Sequence, residues 1–180
     1  MRRSKQTKYV TLDSEIWEYK NNYYIMQMCQ QGKVLHPKIG SNQMPGEYTC
    51  VSTKTPTDTE AGQLGKATLK ALDDFDVQVH PYEVVDIPER NKIIASWFCA
   101  RGMGSLIKNV RVVQVIQIIE AGMIKVRPLD GRDKNNWNCP IEEEAIEIKY
   151  SEANIDQLLG EAIKAAFAVT PYSPERKDPI

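Results

Sequence analysis

The chain has 180 residues, 42% of them hydrophobic and 26% charged, so it is long enough to bury a core as one globular domain. Its 23 Lys and Arg residues nearly balance 24 Asp and Glu residues, so net charge alone provides no attraction to nucleic acid or anionic lipid. No apolar run approaches the roughly 20 residues that a transmembrane helix needs.

The N-terminus and the cysteines indicate the compartment. The first ten residues, MRRSKQTKYV, are basic, and the residues after them do not form the apolar core of a signal peptide. We therefore expect a basic N-terminal arm over residues 1–8 of a cytoplasmic protein. The cysteines lie far apart without a C-x-x-C pair, which predicts four reduced thiols at Cys29, Cys50, Cys99 and Cys139.

The first half of the chain begins with strand-like segments. Aromatic and β-branched residues dominate KYVTL, EIWEYK and YYIMQM, which predicts two or three N-terminal strands. Asn21 and Asn22 provide the turn chemistry of a hairpin between the last two. Residues 29–56 then carry three glycines and three prolines. This density predicts a long loop, and long ordered loops are often functional.

One ten-residue pattern occurs twice in the chain. The segment QLGKATLKAL at 63–72 returns in altered form as LLGEAIKAAF at 158–167. In both copies apolar residues recur at the i, i+3, i+4 spacing of an amphipathic helix with one buried stripe. We therefore predict two similar helices, one over residues 57–75 and one over 154–169.

The start and the glycine of each copy refine this prediction. Thr57 and Glu60 have the spacing of a capping box at the start of the first helix. Each copy also carries an early glycine, Gly65 or Gly160. Because glycine permits close approach, we expect both helices to dock in the same way against the flat surface of a β-sheet.

The segment between the repeated helices predicts a third helix. Pro88 suits a first helical turn, and the apolar residues from Ile93 to Phe98 fit one helical face, so this helix should end before Gly102. The GMGS stretch at 102–105 lacks the third glycine and the Lys-Ser/Thr of a phosphate-binding loop. It predicts a helix stop.

Further strands follow. RVVQVIQII at 111–119 is β-branched and nearly all apolar, which predicts a central strand covered on both faces. MIKVRPL at 123–129 alternates apolar and charged residues, so the residues between these two segments would form a hairpin turn. AIEIKY at 145–150 alternates again, and Ser151 or Asn154 can cap the helix that follows.

This order of elements predicts an α+β fold. We expect an antiparallel or mixed β-sheet with about three helices packed on it, two of them the similar helices at 57–75 and 154–169. The elements form a single domain over residues 1–180. The last segment, TPYSPERKDPI at 170–180, is rich in proline and charge and predicts a disordered tail.

Signatures of catalysis are absent from the sequence. His36 and His80 are the only histidines, and neither has a second strong ligand at helical spacing, so we expect no metal site. A nucleophile pair of Cys99 with His80 requires the fold to bring them together, and Cys99 falls on an apolar helix face where thiols are usually inert. We therefore expect no catalytic residue, no cofactor and no enzyme activity.

Carboxylates are concentrated in two segments. Six lie between Asp73 and Glu89 without any Lys or Arg, and a second group follows Pro140. Most such runs are merely solvated surface, whereas the functional alternative is a face that attracts a basic protein partner. On that alternative the candidate partner-binding residues are Asp73, Asp74, Asp76, Asp86, Glu89, Glu142, Glu143 and Glu144.

Three motifs in sequence order carry a resemblance to a known family. They are L-G-x-A-x-x-x-A on the first repeated helix, G-x-G-S-L-I-K-N before the β-branched strand, and E-E-E-A-I-E-I-K-Y-S followed by L-L-G-E-A-I-K-A-A-F. Over most of its length the chain resembles the immunity proteins of bacterial contact-dependent growth inhibition systems. The resemblance implies a cytoplasmic, non-catalytic protein, monomeric when free, that binds a toxin domain, often a nuclease, and occludes its active site.

Two alternatives from other classes remain open on the sequence alone. The first is a small enzyme that uses Cys99 or His80 beside the predicted loop at 29–56. The second is a self-associating scaffold whose N-terminal aromatic residues form an exposed edge, namely Trp17, Tyr19, Tyr23 and Tyr24.

Overall fold

A computed structural model describes residues 11–29, 47–75, 87–131 and 139–172 of the chain. The strands are β1 (Thr11–Tyr19), β2 (Asn22–Cys29), β3 (Glu47–Pro56), β4 (Arg111–Ile118), β5 (Met123–Asp130), β6 (Cys139–Pro140) and β7 (Ile146–Lys149). The helices are α1 (Ala61–Asp73), α2 (Ile87–Trp97), α3 (Met103–Asn109) and α4 (Ile155–Val169), with one turn of 3-10 helix at Glu142–Glu144.

The strands form one antiparallel sheet. Its order is β3-β2-β1-β4-β5, and both β6 and β7 pair with the far side of β5, at different places along it. Every paired neighbour is antiparallel. The predicted α+β class is therefore confirmed. The prediction of a single domain stays a prediction, and the predicted arm at residues 1–8 lies outside the described residues.

The two faces of the sheet are covered by different helices. Because side chains alternate along a strand, Ile16 and Val113 point to one face, where they pack with residues of α1 and α4. Trp17 and Val112 point to the opposite face, where they pack with Phe98, just beyond α2, and with Leu106 of α3. We call these the α1/α4 face and the α2/α3 face.

Aromatic packing closes the core on the α2/α3 face. The Phe98 ring lies 4.4 Å from the Tyr24 ring and 5.3 Å from the Trp17 ring, measured between centroids. The four N-terminal aromatic side chains are each at most 5% exposed, namely Trp17, Tyr19, Tyr23 and Tyr24. The hypothesis of an exposed aromatic edge for self-association is therefore wrong, because alternation places these large residues in the two cores.

The sheet order explains why the helical pattern occurs twice. Both β1-β2-β3-α1 and β4-β5-β7-α4 are units of three antiparallel strands followed by a helix. The first strands of the two units, β1 and β4, pair antiparallel at the centre of the sheet, and the third strands, β3 and β7, lie at opposite edges. Each copy of the repeated sequence is thus the helix that follows the edge strand of its unit.

The two glycines mark the place where α1 and α4 cross. A Cβ atom on Gly65 would lie 1.8 Å from the backbone oxygen of Asp156, and one on Gly160 would lie 1.8 Å from that of Ala61. The contact is reciprocal, because each glycine faces a carbonyl four residues before the other. Our expectation that the glycines face the sheet was wrong: they allow close approach of helix to helix, while both helices cover the α1/α4 face.

Several boundaries differ from the sequence-based prediction. The first repeated helix begins at Ala61 and not at Thr57, because 57–59 form a turn after β3 and Glu60 makes no side-chain cap. Residues 47–56, assigned above to a loop, form β3, whose β-branched residues lie at a sheet edge that tolerates Pro56. The second copy, at Ile155–Val169, agrees with the prediction.

The middle of the chain contains one helix more than predicted. The helix predicted between the two repeated helices is α2, which ends at Trp97 and thus before Gly102, as expected. The GMGS stretch then begins α3, with Gly102 preceding its first residue. The predicted helix stop was therefore wrong. The described residues hold four α-helices, and the short α3 contributes the buried Leu106 to the core.

An ion pair ties the central strands to the end of α4. Glu18 of β1 lies opposite Arg111 of β4, and the Arg111 guanidinium donates to the Glu18 carboxylate. It also donates to the backbone oxygen of Phe167 at 2.7 Å and lies over the ring of Tyr172. Thr170 and Tyr172, which fall within the predicted disordered tail, are therefore packed, whereas residues 173–180 lie outside the described part.

The crossing predicts the effect of alanine at either glycine. Gly65→Ala and Gly160→Ala should each lower the free energy of unfolding by about 3 kcal/mol or more, because the added methyl group meets backbone that no side-chain rotation can move. Urea unfolding measures this. Gly104→Ala is the control: its Cβ has no atom within 4 Å, so stability should hold or rise by up to about 1 kcal/mol. Equal effects at all three positions would contradict the prediction.

Candidate partner-binding surface

The structure separates the first acidic group into described and undescribed residues. Asp73 is exposed at the end of α1, and Asp74 forms an ion pair with Lys70 one turn earlier. Asp76 and Asp86 lie outside the described residues, and Glu89 lies in α2. The role of these residues in binding stays a prediction.

The second acidic group is partly neutralised by its own neighbours. The Glu142 carboxylate lies 2.9 Å from Lys125 Nζ and 2.7 Å from an Arg127 nitrogen. Hydrogen bonds from Lys125 and then from Arg127 lower the pKa of Glu142 below its ordinary value. Glu143 and Glu144 are exposed beside it. Much of the charge that the sequence displays at Glu142 is therefore compensated within the fold.

Asp74 and Glu142, one residue from each acidic group, lie toward opposite faces of the sheet. Asp74 follows the end of α1, which packs on the α1/α4 face, and its backbone oxygen accepts a hydrogen bond from Gln27. Glu142 contacts Lys125 and Arg127, which alternate with core residues of the α1/α4 face and so point to the α2/α3 face. A single partner face would therefore have to reach around the sheet to touch both Asp74 and Glu142.

A polar cluster lies on the α2/α3 face beside Glu142. Within the described part of the chain, the buried Asp13 Oδ1 and Arg127 Nε atoms have no hydrogen-bond partner. Arg127 is otherwise engaged, because Nη2 donates to Gln114 at 2.6 Å and Nη1 donates to Glu142. Burial raises the pKa of Asp13 above its ordinary value, and the charge of Arg127 opposes this shift.

An open groove lies between β7 and α4. Its volume is about 580 Å³, which is large enough to accommodate side chains of a binding partner. Its floor is apolar and includes Ile146 and Ile148 from β7, with Leu158, Ala162 and Ala165 from α4. Glu152 and Glu161 also line it, one from the turn before α4 and one from the helix itself, and Glu147 and Lys149 of β7 complete the lining. We call this the β7–α4 groove.

The groove lies beside a free edge of the sheet. Within the described residues β7 pairs only with β5, through the stretch from Met123 to Val126, so its other edge faces no strand. An edge of this kind presents backbone N–H and C=O groups that can pair with another chain. Apolar floor, acidic side chains and unpaired backbone thus occur together at one edge.

Sequence reasoning missed this groove for an identifiable reason. The alternation of 145–150 predicted β7, and the repeated pattern predicted α4, but which strand occupies the edge depends on the order of strands in the sheet. The available signal was the cluster of small residues in EAIKAAF, because alanines on a helix leave room above a neighbouring strand.

The residues proposed for catalysis are not brought together by the described part of the chain. Cys99 is exposed just beyond α2, at a positive φ of 51°. The expectation that it lies on an apolar helix face was therefore wrong. His36 and His80 lie outside the described residues. Among described residues no group of three or more His, Cys, Asp or Glu could hold a metal ion.

Comparison with known proteins shows the fold in two solved structures. No family model and no curated protein matches the chain. It is similar to a protein of unknown function from Neisseria meningitidis at 16% identity, with a TM-score of 0.59 over 88% of this chain and 94% of that one. It is also similar to a chain of the CdiA-CT/CdiI toxin and immunity complex from Yersinia pseudotuberculosis, at 10% identity and a TM-score of 0.60, covering 88% and 96%.

These likenesses show a shared fold across most of the chain. At 16% and 10% identity they transfer no residue role. None of the described helices is long and apolar enough to cross a membrane.

The buried carboxyl group predicts a pH-dependent effect of Asp13→Asn. Because the pKa of Asp13 is raised in the folded state, the folded chain holds this proton more tightly than the unfolded chain, and stability falls as pH rises above 3.8. The amide cannot ionise and removes this loss. Urea unfolding at acidic and neutral pH should show the variant gaining stability relative to the original chain as pH rises. A pH-independent difference would contradict the assignment.

Proposed function

We propose that this protein is an immunity protein that binds the toxic C-terminal domain of a contact-dependent growth inhibition effector and neutralises it. The observation that carries the proposal is the fold shared, over most of both chains, with a chain of a toxin and immunity complex. The motifs that resemble this family support the same conclusion. Cytoplasmic location is part of the proposal, because a protective inhibitor has to meet the toxin where it acts.

The proposed mechanism is occlusion and needs no chemistry. A stable protein interface buries about 1,200 to 2,000 Å² in total, enough to cover the active-site cleft of a small enzyme such as a nuclease. A preformed sheet with helices on both faces provides a rigid surface, so little ordering entropy opposes association. The toxin is held inactive because its substrate has no access.

We place the main contact at the free edge of β7 and the adjoining β7–α4 groove. An extended segment of the toxin can add a strand to β7 through backbone hydrogen bonds, while alternate side chains enter the groove. The open edge and the apolar floor support this placement. Glu143 and Glu144, just before β7, are near enough in sequence to join the rim of such an interface.

Co-expression tests the function directly. The probe is the C-terminal domain of the protein encoded immediately upstream of this chain. If the proposal holds, this domain arrests growth when expressed alone, the present chain restores growth, and the two purify as a complex. A toxic domain that neither binds this chain nor is relieved by it would refute the proposal.

A single substitution tests the contact surface. Ala165→Arg should weaken binding of the upstream domain by at least about a hundredfold, because a long charged side chain would fill a groove that the partner must occupy. Ala165 is exposed, so the fold should be retained, as a thermal melt can verify. Titration calorimetry measures the affinity.

The matched control is Ala168→Arg. Ala168 is also an exposed alanine of α4 but does not line the groove, so its substitution should change affinity by less than about threefold. Equal weakening by both variants, or by neither, would remove the groove from the interface while leaving the proposed function standing.

A further inference from the structure

We infer that the β7–α4 groove selects an extended protein segment in which a Lys or Arg side chain is flanked by apolar ones. This inference rests on the proposed function and concerns the chemistry of the partner. It identifies Glu152 and Glu161 as the residues that determine specificity, neither of which was among the acidic residues singled out from the sequence.

Glu152 and Glu161 differ from the other carboxylates near β7 in their ion pairing. Glu142 is paired with Lys125 and Arg127, and Glu147 lies 3.8 Å from Lys125. Within the described residues neither Glu152 nor Glu161 forms an ion pair. Glu161 accepts a hydrogen bond from the Gln157 amide at 2.7 Å. Among the described residues that line the groove, the three carboxylates of Glu147, Glu152 and Glu161 outnumber the one cation, Lys149.

The positions of these carboxylates match a long cationic side chain. Glu152 approaches the groove from the turn before α4 and Glu161 from the second turn of that helix, so they border the same apolar floor. Lys and Arg carry their charge at the end of an aliphatic stem, which can lie along Ile148 and Leu158 while the head reaches a carboxylate. Such charge-assisted hydrogen bonds are stronger than neutral ones.

Strand alternation limits where the cation can stand. Ile146 and Ile148 pack with the core of the α1/α4 face and line the groove, whereas Glu147 and Lys149, which border the groove as well, alternate with them, and Glu147 lies 3.8 Å from Lys125. An added strand would likewise send every second side chain into the groove. In the added strand, the cationic residue therefore lies two positions from an apolar residue, so that both enter the groove. The residues between them face solvent or Glu147.

The other copy of the repeat carries different charges at the matching positions. In the aligned helices QLGKATLKAL and LLGEAIKAAF, Glu161 corresponds to Lys66 and Ala165 to Lys70. Both lysines are exposed on α1, which follows the opposite edge strand β3. Lys70 is paired with Asp74, and Lys66 would repel the same basic segment at the position where Glu161 attracts it.

Charge reversal at the groove is the first test. In the complex with the upstream toxin domain, Glu152→Lys with Glu161→Lys should weaken affinity by at least about a hundredfold and flatten its dependence on salt. Asp58→Lys with Glu60→Lys makes the same charge change at exposed positions before α1, and should have an effect below about threefold. If the groove variant still binds like the original chain, the inference is refuted while the proposed function stands.

A peptide test decides the inference without the toxin. Two synthetic strand peptides of alternating Val and Thr, identical except for one central Lys or Glu on the Val side, are titrated into the isotope-labelled full chain. The Lys peptide should shift the amide signals of β7 and of α4 near Glu161, with an affinity at least about tenfold above that of the Glu peptide. Equal affinities, or shifts confined to other surfaces, would overturn the selectivity even if the upstream domain proved not to bind.

Discussion

The close approach of two helix backbones at Gly65 and Gly160 is the constraint on which the arrangement depends. Both helices cover the α1/α4 face, and a single methyl group at either glycine would clash with the backbone of the other helix. Lys164 supports the crossing by donating to the backbone oxygen of Thr59. With α4 held against α1 in this way, the outer side of α4 stands over β7 and leaves the groove open.

Much of the fold could be predicted from the sequence, because its signals are local. Apolar periodicity predicted α4 with its boundaries, and alternation predicted β5 and β7. Periodicity shows which side of a helix is buried but not what it is buried against, so the contact at Gly65 was assigned to the wrong neighbour. The strand β3 was missed because the glycines and prolines before it, together with Pro56, predicted a loop over the whole segment. A proline at the end of an edge strand is tolerated, so Pro56 does not exclude a strand there.

The candidate site was harder to predict because it depends on pairing that sequence does not show. The number of carboxylates in the sequence favoured Glu142 as a binding residue. In the structure its charge is offset by Lys125 and Arg127, which lie fifteen or more residues earlier in the chain. Glu152 and Glu161 are spaced among alanines and apolar residues and form no acidic run, yet both line the groove, and within the described residues neither forms an ion pair. For a binding protein, the balance left after internal pairing is more informative than the number of charges.

The reciprocal contact of the two glycines also bears on how the sequence can change over time. Each glycine opposes a main-chain oxygen of the other copy, and a main-chain oxygen cannot be made smaller by any substitution. A methyl group gained at one copy therefore has no compensating replacement at the other. Surface positions are under no such constraint, as the pair Lys66 and Glu161 illustrates, so the two edges of a repeated framework can carry opposite charge without disturbing the crossing.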